Sequence, residues 1–297
     1  MEDYTKPALT HDQQLALLQG RGLTVDSTDE AVKFLQRVNY YRFSAYCLPF
    51  QNTRDKFLAG TTFSRIIELY SLDEELRNAL MTVLSPIEVF LRARVVYELS
   101  HGWGTFACYE PSLFRNKNTH TKWVESLDKQ VEQSNERFLE HYQSKYNGFP
   151  RLPLWIACEV MSMGTLSLLY NNLQPEPQRQ ICSILECHHS VLVNWMHVIT
   201  YLRNICAHHG RLWNRELQIR PLIPRDRLWT ELGLDNTRLF AGVAMMEWIC
   251  RRTHSDLNNF SPVYEVMRKI SAMQPSFSEK MGVPVGRSIG MCWDVKE

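Results

Sequence analysis

The run Arg203-Asn204-Ile205-Cys206-Ala207-His208-His209-Gly210-Arg211-Leu212-Trp213-Asn214-Arg215 sets cations, imidazoles and a carboxamide just after an apolar stretch, Val191 to Leu202. Those group types are the ones RNA cleavage without a metal needs. A guanidinium holds a phosphate through a forked pair of hydrogen bonds. An imidazole carries a proton near neutral pH, and a carboxamide orients either. Residues four apart share a helix face, so Asn204 and His208 are stacked neighbours. Arg203 precedes His208 by five, roughly 140° round an ideal helix. Its stem must swing, or the last turn must distort, for the two to meet. Gly210 suits the left-handed residue that ends a helix. That predicts His208 and His209 in the last turn, where the helix dipole favours an imidazolium. The plainer reading is a helix end capped by polar side chains.

Other residues of reactive type are weaker candidates. Asn39-Tyr40-Tyr41-Arg42 joins aromatic rings to a cation, which suits stacking of single-stranded bases and a phosphate contact. Such rings are more often core, and Arg42 is the member that packing explains least. Arg94 and His101 form an Arg-x6-His at the end of an apolar helix. They read either as a second half-site or, more simply, as a fold-stabilising Arg and a helix-terminal His. Cys182, Cys187-His188-His189, Cys206 and His208-His209 suggest zinc only loosely, because Cys-x4-Cys lacks a second regular pair. No metal is expected. Nor is there a phosphate-cradling Gly loop, a His-Glu-x-x-His or a Gly-x-Ser-x-Gly, so NTPase, metalloprotease and serine-hydrolase chemistries lack support.

The elements that must hold these groups read as almost wholly helical. Thr10-His11-Asp12-Gln13 and Ser27-Thr28-Asp29-Glu30 fit capping boxes. The first helix should run to about Gly20. The second should bury Ala31, Phe34, Leu35 and Val38, continue through residues 39–42 and end before Pro49. Thr62 opens a long segment that Pro86 kinks or restarts. From Ile87 to Leu99 it is apolar nearly all round and so should be central, with Gly102 and Gly104 closing it. Residues 119–145 read as one outer helix built on Trp123, Leu127, Val131 and Phe138, and 154–169 as another apolar helix. The motif helix covers 190–209. Pro221 and Pro224 turn the chain into two last helices, about 236–252 and 258–271, and a tail from Pro275 packs back through Trp293. Strand-like alternation is rare, and no internal repeat appears.

The 297 residues allow a large core. With 44% hydrophobic and 22% charged residues the composition is that of an ordinary soluble globular protein. Thirty-three Lys+Arg against 32 Asp+Glu leave a net charge of +1, so a nucleic-acid surface must be local. The stretch 201–227 is locally basic through Arg203, Arg211, Arg215, Arg220, Arg225 and Arg227, offset by Glu216 and Asp226. Residues 1–6 are acidic and polar with no apolar core behind them, and no apolar run is long enough for a membrane. The eight scattered cysteines sit mostly in apolar stretches. They read as buried free thiols, and the expected location is the cytoplasm.

The Arg-Asn-x-x-x-His pattern resembles the signature of the HEPN superfamily, an all-helical group with many RNases. The likeness extends through Lys6-Pro7-x-Leu9-Thr10, Asn39-Tyr40-Tyr41-Arg42-Phe43-Ser44-x-Tyr46 with Pro49-Phe50, and Arg203 through Arg215. Together these resemble the Abi-like family, bacterial abortive-infection proteins of the AbiD/AbiF type, from about residue 5 to the tail. The resemblance implies an all-α fold in a single domain, 1–297. A HEPN-type helical bundle core of about 60–215 would carry N-terminal helices 8–50 and C-terminal helices 225–272 packed on it. It implies a metal-independent endoribonuclease of phage defence with no cofactor, acting as a homodimer in which the Arg and His of two copies face each other. The ribose 2′-hydroxyl would attack the adjacent phosphate, leaving a 2′,3′-cyclic phosphate and a 5′-hydroxyl. Arg203 would clamp the phosphate, His208 would be the acid/base with His209 as the alternative, and Asn204 would orient the pair. Tyr40, Tyr41, Arg42, Arg211 and Arg215 are candidate RNA contacts. A small non-coding RNA is a further implied partner, through the likeness of these proteins to single-domain relatives of type VI CRISPR effectors. DNA and membranes are not expected. Two other readings stand beside it: a non-catalytic module that binds RNA, and a protein partner of another toxin using the 201–227 patch.

Overall fold

The helix starts written into the sequence set the architecture. Thr10 accepts from the Gln13 N–H and the Gln13 side chain returns to the Thr10 N–H, so α1 (His11–Gly20) begins with a complete capping box. Ser27 caps α2 (Thr28–Arg37), which buries Ala31, Phe34 and Leu35. The expected continuation of α2 through 39–42 does not occur. Val38 turns extended, and the Asn39 side chain accepts from the Tyr41 N–H to start a new helix, α3 (Tyr40–Cys47). A better cap thus interrupts a tolerable helix. Two short antiparallel strands, β1 (Gln51–Thr53) and β2 (Lys56–Phe57), follow, in a stretch where no strand-like alternation announces them.

A computed structural model describes residues 3, 5, 7–53 and 55–293; Lys6 of the N-terminal motif lies outside them. The chain divides into two units, 1–75 and 76–297, and the boundary falls inside α4 (Phe63–Trp103). That helix passes through Pro86 without ending, so the proline does not restart it. In the first unit Phe34, Phe43, Phe63 and Tyr70 pack ring against ring at 4.8–5.9 Å. Tyr46, fully buried, donates to the buried Asp73 carboxylate at 2.6 Å.

In the second unit the polar segment is two helices, α5 (Lys117–Gln133) and α6 (Arg137–Lys145), because Ser134 goes extended between them. Trp123, Leu127 and Val131 are buried as expected, but Phe138 is exposed and Leu139 and Tyr142 take the inward face. The apolar 154–169 stretch also breaks, into α7 (Leu154–Val160) and α8 (Met163–Asn172), where Ser162 caps the second piece. Next come α9 (Pro175–Cys182) and α10 (His189–Ala207), the motif helix. α10 packs on α8 and α9 and buries Leu192, Trp195, Met196, Ile199 and Leu202. After an irregular stretch come α11 (Arg227–Thr230), α12 (Leu239–Arg252), α13 (Phe260–Met273) and α14 (Phe277–Lys280). The tail does return through Trp293, which packs edge-to-face against Trp229 and Trp248 and donates to the Ala244 carbonyl. The chain is all-α apart from β1 and β2. No helix among the described residues is long and apolar enough to cross a membrane.

Candidate functional site

The end of α10 is set by backbone geometry. Ala207 is the last helical residue and His208 the cap. His209, at φ 56°, takes the left-handed position that the sequence suggested for Gly210. Its N–H donates to Cys206 O at 3.1 Å, and the Gly210 N–H donates to Ile205 O at 2.8 Å. This pair of bonds is the Schellman closure, which satisfies carbonyls left over at a helix end. Histidine is among the residues that enter the left-handed region more readily than most. Gly210 serves a different need: a Cβ there would stand 3.2 Å from Ile205 Cγ2 and 3.3 Å from Ile205 O. The chain then plunges inward, with Leu212 and Trp213 fully buried.

Arg203, Asn204, His208 and His209 all reach solvent at this helix end. The Arg203 guanidinium is held on two edges. Nη1 donates to Asn204 Oδ1 at 3.4 Å, and Nε lies 3.6 Å from Glu88 Oε1 of α4. The Asn204 carbonyl accepts the His208 N–H at 2.9 Å. No bond joins the Arg203 side chain to the His208 ring among the described residues, as their offset round the helix requires. Burial lifts the Glu88 carboxyl above its ordinary value, opposed by Arg203 and Arg92.

Sequence reasoning missed three neighbours. Arg77, almost fully buried, donates to the Gly210 carbonyl at 3.5 Å and ties the motif turn to α4. Glu88 pairs with Arg203 from α4. Arg92 gives Nη1 to the carbonyls of Cys158 and Met161, both at 2.7 Å, and so pins the α7–α8 break. For Glu88 and Arg92 the available signal was charge inside the run 87–99, otherwise read as apolar nearly all round; Arg77 precedes that run. Arg211 and Arg215 are half-buried, and Arg215 Nε donates to the Arg211 carbonyl at 2.7 Å, closing the turn on itself. Farther along the basic stretch, Arg220 and Arg227 pair with Glu216 and Glu231.

The Tyr40 group lies in the first unit. The Tyr40 hydroxyl accepts from Arg21 at 3.1 Å, and Arg21 also pairs with Asp55. Tyr41 is 86% exposed. Arg42, which packing did not explain from sequence, lies over the Tyr70 ring and donates to its hydroxyl at 3.2 Å. Arg94 donates to Gln180 O, Ile181 O and Ser183 Oγ and pairs with Glu98, which binds α4 to the end of α9. His101 caps the Tyr97 carbonyl.

The imagined zinc ligands sit at opposite ends of α10, about 27 Å apart by helical rise. Cys182 and Cys206 are buried while His208 and His209 are exposed. No cluster of three or more metal-binding side chains occurs among the described residues.

A family model described as Abi-like protein matches residues 33–214, from α2 to the far side of the motif turn and over well half of the chain. No curated protein and no solved structure matches. The matched span takes in both Asn39-Tyr40-Tyr41-Arg42 and Arg203 through Asn214. The chain therefore belongs to the Abi-like protein family, whose association is with abortive infection and phage defence.

Proposed function

We propose that this protein is an endoribonuclease of the HEPN type, working without a metal at the C-terminal end of α10. The observation that carries the reading is the exposed pair of Arg203 and His208 at one helix end, with Asn204 Oδ1 and Glu88 Oε1 beside the guanidinium. Arg203 binds the scissile phosphate and offsets the charge that grows on it in the transition state. A base takes the proton of the 2′-hydroxyl as its oxygen bonds to phosphorus. As the P–O5′ bond breaks, an acid gives a proton to the leaving O5′. One His208 can fill one of these roles, so two copies of the chain supply the two, and the active form is a homodimer. The substrate is RNA, with a small non-coding RNA as a second partner. The cellular setting is the cytoplasm of an infected bacterium.

The test compares wild-type protein with His208→Ala and Arg203→Ala on RNA in the presence of a chelator, with end-mapping of the fragments. Wild type should release 2′,3′-cyclic phosphate ends, and each variant should lose roughly 10²-fold or more. Equal cleavage by all three removes the enzyme. Binding of RNA that weakens steeply with salt, without cleavage, would leave the non-catalytic RNA-binding module in its place.

A further inference from the structure

We propose that Glu88 is the positioning residue for Arg203, holding the guanidinium by Nε so that its remaining N–H groups are presented to a phosphate. The proposal rests on the endoribonuclease reading and names a further member of that site. Glu88 directly follows Ile87, the first residue of the inward-facing run Ile87, Leu91, Val95 and Leu99, all at most 1% exposed. A carboxylate next to that face has little water around it; its side chain is 17% exposed. Two cations face it, Arg203 from α10 and Arg92 one turn along α4. Arg92 is committed elsewhere, since its Nη1 serves two backbone carbonyls at 2.7 Å each. Arg203 is the more open partner, with 42% of its side chain exposed.

The division of the guanidinium follows. Glu88 takes the Nε side at 3.6 Å, and Asn204 takes one Nη1 hydrogen at 3.4 Å. Nη2 and the second Nη1 hydrogen stay available, and these are the fork that grips a phosphate oxygen pair. A long Arg stem without such a hold samples many rotamers, and a misplaced clamp costs rate more than it costs binding. The carboxylate also opposes the phosphate by like charge. Removing that charge while keeping the shape should therefore slow the chemistry and leave RNA binding equal or tighter. A salt bridge that merely stiffens the fold has no such split signature. The carboxyl is shifted upward by burial, so protonation frees Arg203 at a pH above the ordinary glutamate value of 4.5. The positioning is present when Glu88 is ionised and lost as pH falls through its folded-state value.

The experiment measures kcat and KM of full-length wild type, Glu88→Gln and Glu88→Asp across pH, after helix content and melting have shown each variant folded. Glu88→Gln should lower kcat roughly tenfold, about 1.4 kcal/mol, with KM unchanged or lower, and should flatten the acidic limb of the kcat profile. Glu88→Asp should recover part of the rate. A Gln variant with wild-type kcat, or with kcat lowered and KM raised together, overturns the assignment. A second readout does not need catalysis. In His208→Ala protein, the Arg203 Nε–H signal in ¹⁵N NMR should be protected from exchange, and Glu88→Gln should remove that protection. Should wild type cleave no RNA, the endoribonuclease reading falls, and equal Arg203 signals with and without the carboxylate would sink the positioning role separately.

Discussion

Two substitutions at one position separate backbone strain from proton chemistry at the motif turn. His209→Ala and His209→Gly both delete the ring and every contact it makes, and they differ by a single Cβ. At φ 56° that Cβ crowds the following carbonyl, at about 1–2 kcal/mol for an L-residue. Glycine's greater freedom in the unfolded chain works the other way, by roughly 0.5–1 kcal/mol. His209→Gly should therefore be the more stable of the two by about 0.5–1 kcal/mol in urea denaturation. For a chain of this size that is a melting difference of about 1–3 °C. The helix-closing bonds from residues 209 and 210 to Cys206 O and Ile205 O are backbone bonds and survive both changes. If His208 is the acid/base, both variants should keep RNA cleavage within a few-fold of wild type, while His208→Ala loses roughly 10²-fold or more. An Ala variant as stable as the Gly one would refute the left-handed geometry at 209. A Gly variant as inactive as His208→Ala would move the acid/base to His209.

Three further expectations test the frame around the site. Glu247, fully buried, accepts from Tyr264 Oη at 2.7 Å, from the backbone N–H groups of Cys292 and Trp293, and from Arg251 Nε. Glu247→Ala should cost about 3–5 kcal/mol by chemical denaturation, because it strands three donors and a cation that is only 20% exposed, and the C-terminal tail should become the first site of proteolytic nicking; a loss under 1 kcal/mol would refute this anchoring. Arg94→Met should lower stability by about 1–3 kcal/mol through the carbonyls it leaves unpaired at the end of α9 and change RNA cleavage less than twofold; a large loss of rate at full stability would restore Arg94/His101 as a half-site. Asn39→Ala should cost about 1 kcal/mol through loss of the α3 cap, measured by the urea midpoint.

What could be read from the sequence and what could not divide along the range of the interactions. Thr10 with Gln13, Ser27, and Thr62 signal helix starts through bonds spanning three residues, and all three appear. The breaks at Val38, Ser134 and Met161 were harder. Each interrupts an apolar periodicity that a longer helix would also satisfy, and the outcome turns on small differences in capping and packing. Pro86 went the other way: its local preference favours a stop, yet a helix with Leu76, Leu80, Val83, Leu84, Ile87 and Leu91 all buried keeps going. Arg203, Asn204 and His208 were legible because one helix carries them. Glu88 and Arg77 were not, because they approach from more than a hundred positions away in sequence and nothing in their own neighbourhood names the partner.

That difference bears on how the site is assembled. An exposed Arg and an exposed His on adjacent turns are common on helix ends, and by themselves they distinguish a nuclease from an ordinary cap poorly. What separates this end is the number of independent supports converging on it. Arg77 holds the Gly210 carbonyl from below, Gly210 lets the turn close against Ile205, and Leu212 and Trp213 draw the following chain into the core. Glu88 and Asn204 take two edges of Arg203. A surface helix end needs no such scaffolding, since water satisfies its carbonyls at little cost. A group whose task is to meet developing charge in one place needs its geometry fixed before substrate arrives. Arg77→Met discriminates the two accounts: it should lower kcat several-fold while the Arg203 Nε–H signal persists, and an unchanged rate would reduce the turn to plain architecture.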